Sequence, residues 1–343
     1  MAELTLRPRS ECQFDIAVLG EVMLRFDPGA HRIRNARQFT VTEGGGEYNV
    51  GRSLRKVFSW RSALVTAIGT NDIGWLLEDL LLQGGMNLDH VVWKDTDERG
   101  RWNRNALYFA EQGFGIRTPK AVYDRASSAA STLSPGDIDW DHLFGNIGVR
   151  WFHTGGIFAG LSDSCRDICQ EAMDAARRHG TVVSFDVNYR PKLWSDAGGP
   201  DASRLQAEQF AASADVLFGV ADIDAVAGGP SEGTPAPTVI ANLLRTTHSA
   251  SAHDLRARAW SHASGFVDSV SLTDIAVLDR IGSGDAFAAG VIATLAEGHD
   301  LARALDVGAA HAALTMTTPG DTSSSDPEEI NSLINGSSKD IGR

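Results

Sequence analysis

Residues 149–185 read VRWFHTGGIFAGLSDSCRDICQEAMDAARRHGTVVSF, and they carry a whole strand–helix–strand unit. The apolar run 149–153 precedes Gly155 and Gly156 and predicts a strand. Residues 163–179 place Ile168, Ala172, Ala175 and Ala176 at helical spacing, with Ser162 or Asp163 as the N-cap and Gly180 just past the end. Residues 182–185 return to a strand. The same rhythm continues on either side. Residues 14–19 (FDIAVL) form a buried strand ended by Gly20, 47–57 are helical, 62–68 (SALVTAI) are a strand closed by Gly69, and 215–218 are the next strand. Strands alternating with helices predict an α/β fold with a mostly parallel sheet covered on both faces.

Two stretches break the pattern. Residues 25–41 and 100–123 alternate polar, arginine and aromatic residues without a 3.6-residue period, and RNALYFAEQG (104–113) reads as an exposed or half-exposed strand. They predict a small β-sheet appended to one α/β domain spanning 1–343, a lid formed by about 22–45 and 98–125. Residues 228–237 (GGPSEGTPAP) read as a surface loop and 322–343 as a polar, weakly ordered tail.

Composition narrows the function classes. Hydrophobic residues make up 43% and charged residues 22% of 343, which excludes disordered and fibrous classes. The 31 basic against 44 acidic residues leave a net charge of −13, which repels phosphate backbones and excludes non-specific nucleic-acid binding. An anionic small substrate then requires positive charge gathered locally. Three cysteines suit a reducing compartment. Cys165 and Cys169 stand four apart without a His or carboxylate cluster, and read as buried small side chains rather than a metal site. With no signal-like apolar segment and no run of about 18 apolar residues, the expectation is a soluble, cytoplasmic protein that does not enter a membrane.

The chemistry concentrates at Asp279-Arg280-Ile281-Gly282-Ser283-Gly284-Asp285, led in by the apolar run 275–278 and followed by the helical AFAAGVIATLAEG (286–298). Two glycines at a helix start let backbone N–H groups converge on an anion, assisted by the helix dipole. Asp285 has two readings: a dipole-favoured carboxylate of a first turn, or a general base that deprotonates a hydroxyl as it accepts a phosphoryl group. A dinucleotide GxGxxG fails because Phe287 stands where the third glycine belongs, and no GxxxxGK[ST] or HExxH occurs.

IGSGDAFAAG (281–290) resembles the C-terminal signature of the ribokinase-like (PfkB) carbohydrate kinases, and Gly44-Gly45-Gly46-Glu47-Tyr48-Asn49-Val50 resembles that family's N-terminal GG-x-x-N segment. GEVMLRFDPG (20–29), VYDRASSAAS (122–131), FHTGGI (152–157) and FDVNYRPKLW (185–194) look specifically like 2-keto-3-deoxygluconate kinases. The resemblance covers about residues 14–320. It implies a Rossmann-like (ribokinase-like) α/β fold with a β-sheet lid, transferring the γ-phosphoryl of ATP to a sugar or sugar-acid hydroxyl with Mg²⁺, and it leaves K⁺ activation and homo-oligomer formation open. Fructokinase, ribokinase and nucleoside kinase chemistry belong to the same family. By the same resemblance Asp285 matches the catalytic base and Gly282, Ser283 and Gly284 the anion hole. Gly45 and Asn49 match substrate-contacting positions, and Tyr123, Arg125 and Arg190 match positions that hold the sugar acid.

The residues themselves admit plainer readings. Arg125 and Arg190 are either surface arginines or the guanidinium forks that an acidic protein needs to bind a carboxylate. Tyr123 suits a packed aromatic, Asn49 a helix cap, and His153 a core histidine. Two features depart from the family pattern. Val220 stands where the asparagine of an N-x-x-E element is expected, leaving the metal ligands unknown, with Asp222 or Asp224 as candidates to reach Mg²⁺ through water. The glycine-containing nucleotide loop is replaced by residues 247–254, where Ser249 and Ser251 are the nucleotide-contacting candidates. These departures keep a second class in view, a catalytically weak sugar-binding protein.

Overall fold

A computed structural model of the chain describes residues 4–97, 99–188, 208–227 and 237–336. Arg190 and residues 228–236 of the expected surface loop lie outside them. The first half runs β1 (Phe14–Leu19), β2 (Met23–Asp27), β3 (Thr40–Gly44), α1 (Gly46–Lys56), β4 (Ser62–Thr70), α2 (Asp72–Gln83), β5 (Asn87–Asp95), β6 (Ala106–Glu111) and β7 (Lys120–Asp124). It continues through β8 (Val149–Gly155), α3 (Gly156–Ala159), α4 (Asp163–Arg178), β9 (Val182–Asp186), β10 (Val216–Phe218) and α5 (Ile223–Ala227). Then follow β11 (Val239–Ser249), β12 (Ala252–Ser261), β13 (Gly265–Asp268), β14 (Leu272–Ala276), α6 (Ser283–Ala296), α7 (Leu301–Thr315) and α8 (Pro327–Ile334).

The large sheet has the order β13-β12-β11-β10-β9-β8-β1-β4-β5, with β14 also paired to β12. From β11 to β5 every neighbouring pair is parallel, and β12, β13 and β14 add an antiparallel edge. Strand β1 is buried along its whole length, and its side chains divide by the two-residue period of a strand. Ile16 and Val18 join Leu54, Phe287 and Val291 on one face, while Ala17 and Leu19 join Phe152, Ile168 and Ala172 on the other. Helix α4 begins as expected, with the Ser162 hydroxyl accepting the Cys165 N–H at 3.1 Å and Gly180 following the end at φ 71°. Cys165 and Cys169 are free and buried on its inner face, and burial pushes the Cys165 thiol up to about 12. After β1 the chain builds outward through β4 and β5, and after β8 it builds the other way, which leaves a crevice at the carboxyl ends of β1 and β8.

The smaller sheet, β3-β2-β6-β7, corresponds to the two stretches that break the helical rhythm. Of the exposed or half-exposed reading of 104–113, only the half-exposed form fits, since β6 alternates buried and half-buried positions along most of its length. Ala106, Tyr108 and Ala110 of β6 are buried with Met23 against Ile281 of the glycine turn. The exposed strand is the edge, β7, whose five residues all face solvent. Interior position and the turn beneath cover β6, which alternation alone does not reveal. The expected tail is also corrected in part. Residues 327–334 form α8, started by an Asp326–Glu329 capping box and anchored by Ile330 against Val57, Val307 and Ala310. Among the described residues no helix is long and apolar enough to cross a membrane.

Candidate active site

The glycine turn enters α6 at Gly282, the N-cap, with φ 81°. A Cβ there would lie 1.8 Å from the carbonyl oxygen of Asp321, so glycine is required by both conformation and space. Ser283 is buried and its hydroxyl donates to the Arg280 carbonyl at 2.9 Å. A Cβ added at Gly284 would meet nothing within 4 Å, so the approach to the helix start is open. The first N–H groups of a helix have no intrahelical acceptor and carry its positive dipole end.

Asp285 sits in this first turn, half-buried. Asn49 donates from Nδ2 to its Oδ2 at 2.7 Å, while Asn49 Oδ1 accepts the Gly45 N–H at 3.3 Å. The two bonds use the amide's donor and acceptor ends and fix its orientation. Gly45, not Asn49, is the N-cap of α1, so Asn49 is a helical residue whose side chain bridges the two motifs. Burial pushes the Asp285 carboxyl well above the usual carboxylate range; the Asn49 bond opposes this, and Asp186, Asp321 and Glu47 add to it. Glu47 itself is buried, its oxygens against Gly20 and Gly155 at the ends of β1 and β8, and burial raises it to about 7. Asn188, at φ 34°, closes the same space. A Cβ on Gly46 would lie 3.7 Å from Asp285 Oδ1 and 4.0 Å from Asn188 Nδ2.

Arg125 leaves the end of β7 and ion-pairs with Glu21 at 2.5 Å, and Glu21 also takes the Ser128 hydroxyl. Tyr123 is exposed, stacks on Tyr108 at 5.6 Å and lies under the Arg125 guanidinium at 5.8 Å. Residues 247–254 form the tip of the β11–β12 hairpin. There the Ser249 hydroxyl accepts the Ser251 N–H at 3.2 Å and the Ser251 hydroxyl accepts the Gly115 N–H at 2.9 Å, so both pin the tip, Ser251 to the loop that follows β6. Asp222 and Asp224 are exposed, and Asp224 lies 3.8 Å from Arg258. Val220 points into the core, with Asn242 gripping its N–H at 3.1 Å and its carbonyl at 2.8 Å. The position that faces the site after β10 is Gly219, at φ 68°, where a Cβ would lie 2.7 Å from Asp186 Oδ1. His153 is the core histidine expected, bonded to Ser184 at 2.8 Å and lowered by burial to about 3.

Among the described residues no three metal-ligating side chains converge. Carboxylates gathered around an open helix start still fit a hard cation carried in on phosphates, because Mg²⁺ needs only one or two protein carboxylates. Glu47, Asp186, Asn188, Glu21, Arg25 and Asp321 escape the sequence reading as site residues. Glu21, Arg25, Glu47, Asp186 and Asn188 lie inside the stretches quoted above, whereas Asp321 has no local signature.

Comparison with known proteins agrees with this geometry. The 2-dehydro-3-deoxygalactonokinase of Haloferax volcanii is 29% identical over 332 residues, covering 96% of this chain and 99% of the relative. The 2-dehydro-3-deoxygluconokinase of Bacillus subtilis is 26% identical and covers 90% and 91%. The crystal structure of 2-dehydro-3-deoxygluconokinase from Thermotoga maritima superposes with a TM-score of 0.81 at 30% identity, covering 94% of this chain and 99% of that one. The profile described as pfkB family carbohydrate kinase matches residues 13–328. Matched over most of its length, this chain belongs to the pfkB family of carbohydrate kinases.

Proposed function

We propose that the protein phosphorylates a hydroxyl of a 2-keto-3-deoxy sugar acid with ATP, Asp285 acting as the base. The observation that carries this reading is the Asn49–Asp285 hydrogen bond, which sets a carboxyl of raised basicity at an open helix start above the β1/β8 crevice. Asp285 takes the proton of the attacking hydroxyl, and Asn49 holds the carboxylate toward it. Backbone N–H groups of the Gly282–Gly284 turn stabilise the charge that spreads over the transferring phosphoryl oxygens. Mg²⁺ carried in on the nucleotide would supply positive charge against the phosphates, with the carboxylates around the helix start to hold it. Arg125 offers a planar fork to the substrate carboxylate, and its ion pair with Glu21 orients that fork at the carboxyl end of β1. Arg190 joins it on the strength of the family resemblance. The names of the Haloferax volcanii and Bacillus subtilis relatives support the choice of acid.

The test is ADP release with Mg²⁺ over 2-keto-3-deoxygluconate, its galactonate epimer, fructose, ribose and a nucleoside, each with and without K⁺. The expected outcome is the highest kcat/KM on one of the two acids. Faster turnover of a neutral sugar would reject the substrate. A sugar-dependent rise in melting temperature without any ADP would make this a binding protein.

A further inference from the structure

Behind the glycine turn lies a buried ion cluster assembled from three distant stretches of the chain. Arg25 of β2 is almost wholly enclosed, with 1% of its side chain exposed. Its guanidinium pairs with Asp279, with Asp321 at 2.5 Å and with Asp27 at 3.0 Å. A buried ion pair is weak evidence for stability, since an apolar replacement of similar volume is often as stable. What distinguishes this cluster is where its carboxylates lead. Asp279 opens the turn, and its other oxygen accepts the Ile281 N–H at 3.1 Å. Asp321 takes the Tyr108 hydroxyl with its second oxygen and presses its carbonyl against Gly282, leaving no room for a Cβ. The guanidinium therefore spans the turn from both sides, three residues ahead of Gly282 on one and directly under that N-cap on the other.

We propose that Arg25 is the positioning residue of the glycine turn: clamped between Asp279 and Asp321, it holds the Gly282–Gly284 backbone in the geometry that presents α6 and Asp285 to the phosphoryl group. The proposal rests on the reading of Asp285 as the base. Arg25 belongs to the smaller sheet, whereas the turn leads into a helix packed on the larger one, so the seating of one sheet sets the catalytic geometry of the other. Lysine cannot replace it, because a single ammonium is a point charge without the fork that reaches two carboxylates at once.

The experiment compares Arg25→Lys, Arg25→Ala and Asp285→Asn in steady-state kinetics and melting temperature. Arg25→Lys is expected to lower kcat by about 10²-fold, the scale of a misplacement near 1 Å, with the KM of the sugar nearly unchanged. Millimolar guanidinium is expected to restore part of the kcat of Arg25→Ala, and urea, which has the same shape without charge, is not. Wild-type kcat in Arg25→Lys overturns the proposal. So does a loss of kcat in both Arg25 variants that follows melting temperature and shows no guanidinium rescue, since that is a purely structural role. Near-wild-type turnover in Asp285→Asn instead rejects the base itself, whatever the Arg25 variants do.

Discussion

Asp285 holds its proton to a higher pH than an ordinary carboxyl because burial of its carboxyl and the charges of Asp186, Asp321 and Glu47 raise it, with the Asn49 amide in opposition. The same environment would strengthen it in the proposed role of base and makes its charged form costly. Asp285→Asn is expected to lower kcat by about 10²–10⁴-fold with little change in sugar affinity, measured by steady-state kinetics and sugar titration. Glu47 permits a pH test. Its carboxyl is raised from 4.5 to about 7, so the folded chain binds more protons than the unfolded one across that interval. Its contribution is present below the lower value and is lost as pH rises through the upper one. The melting temperature of Glu47→Gln minus that of the wild type should therefore climb from about pH 4.5 to 7 and level off above. Taking the difference cancels the buried histidines, which titrate in the opposite sense. A flat difference would show that Glu47 is charged throughout.

At the scale of elements, the end of β10 bears on the departure at Val220. By the family resemblance alone, the missing asparagine at 220 would weaken the handling of Mg·ATP and Val220→Asn would restore it. The structure turns Val220 into the apolar layer with Leu217 and Ile223 and aims Gly219 at Asp186. An amide at 220 would be buried without a ready partner, at a cost of about 1–3 kcal/mol. Val220→Asn is thus expected to lower the denaturation midpoint and leave kcat/KM for ATP no better than wild type. An improved kcat/KM would return position 220 to the handling of Mg·ATP. Helix α4 and strand β1 show the opposite outcome. Their periodicity, the Ser162 cap and the glycine stops suffice to place them, because those signals act within a few residues of chain. The burial of β6 and the existence of α8 escape such signals because what covers them, Ile281 and α7, comes from distant sequence.

At the scale of the molecule, a net charge of −13 makes the placement of each arginine decisive for an anionic substrate. Arg125 is brought to the carboxyl end of β1 by the smaller sheet and is held there by Glu21. Arg125→Ala should raise KM for a sugar acid by roughly 10–150-fold, the worth of one charge-assisted bond, and for the neutral analogue far less. Equal losses on both substrates would mean that Arg125 serves Glu21 rather than the ligand.

The alternation of strands and helices, the second small sheet, the helix start at Gly282 and the family signature at both ends are all legible without coordinates. Periodicity, capping and glycine chemistry are written in neighbouring residues, so they survive without a fold. Which charges meet is settled in three dimensions. Asn49 finds Asp285 across 236 residues, Arg25 finds Asp321 across 296, and Glu47 is lodged between strands that are not adjacent in the chain. Hydrogen bonds and buried charges act over a few ångströms of space. Their partners are set by how the two sheets are stacked, which no local pattern of residues encodes.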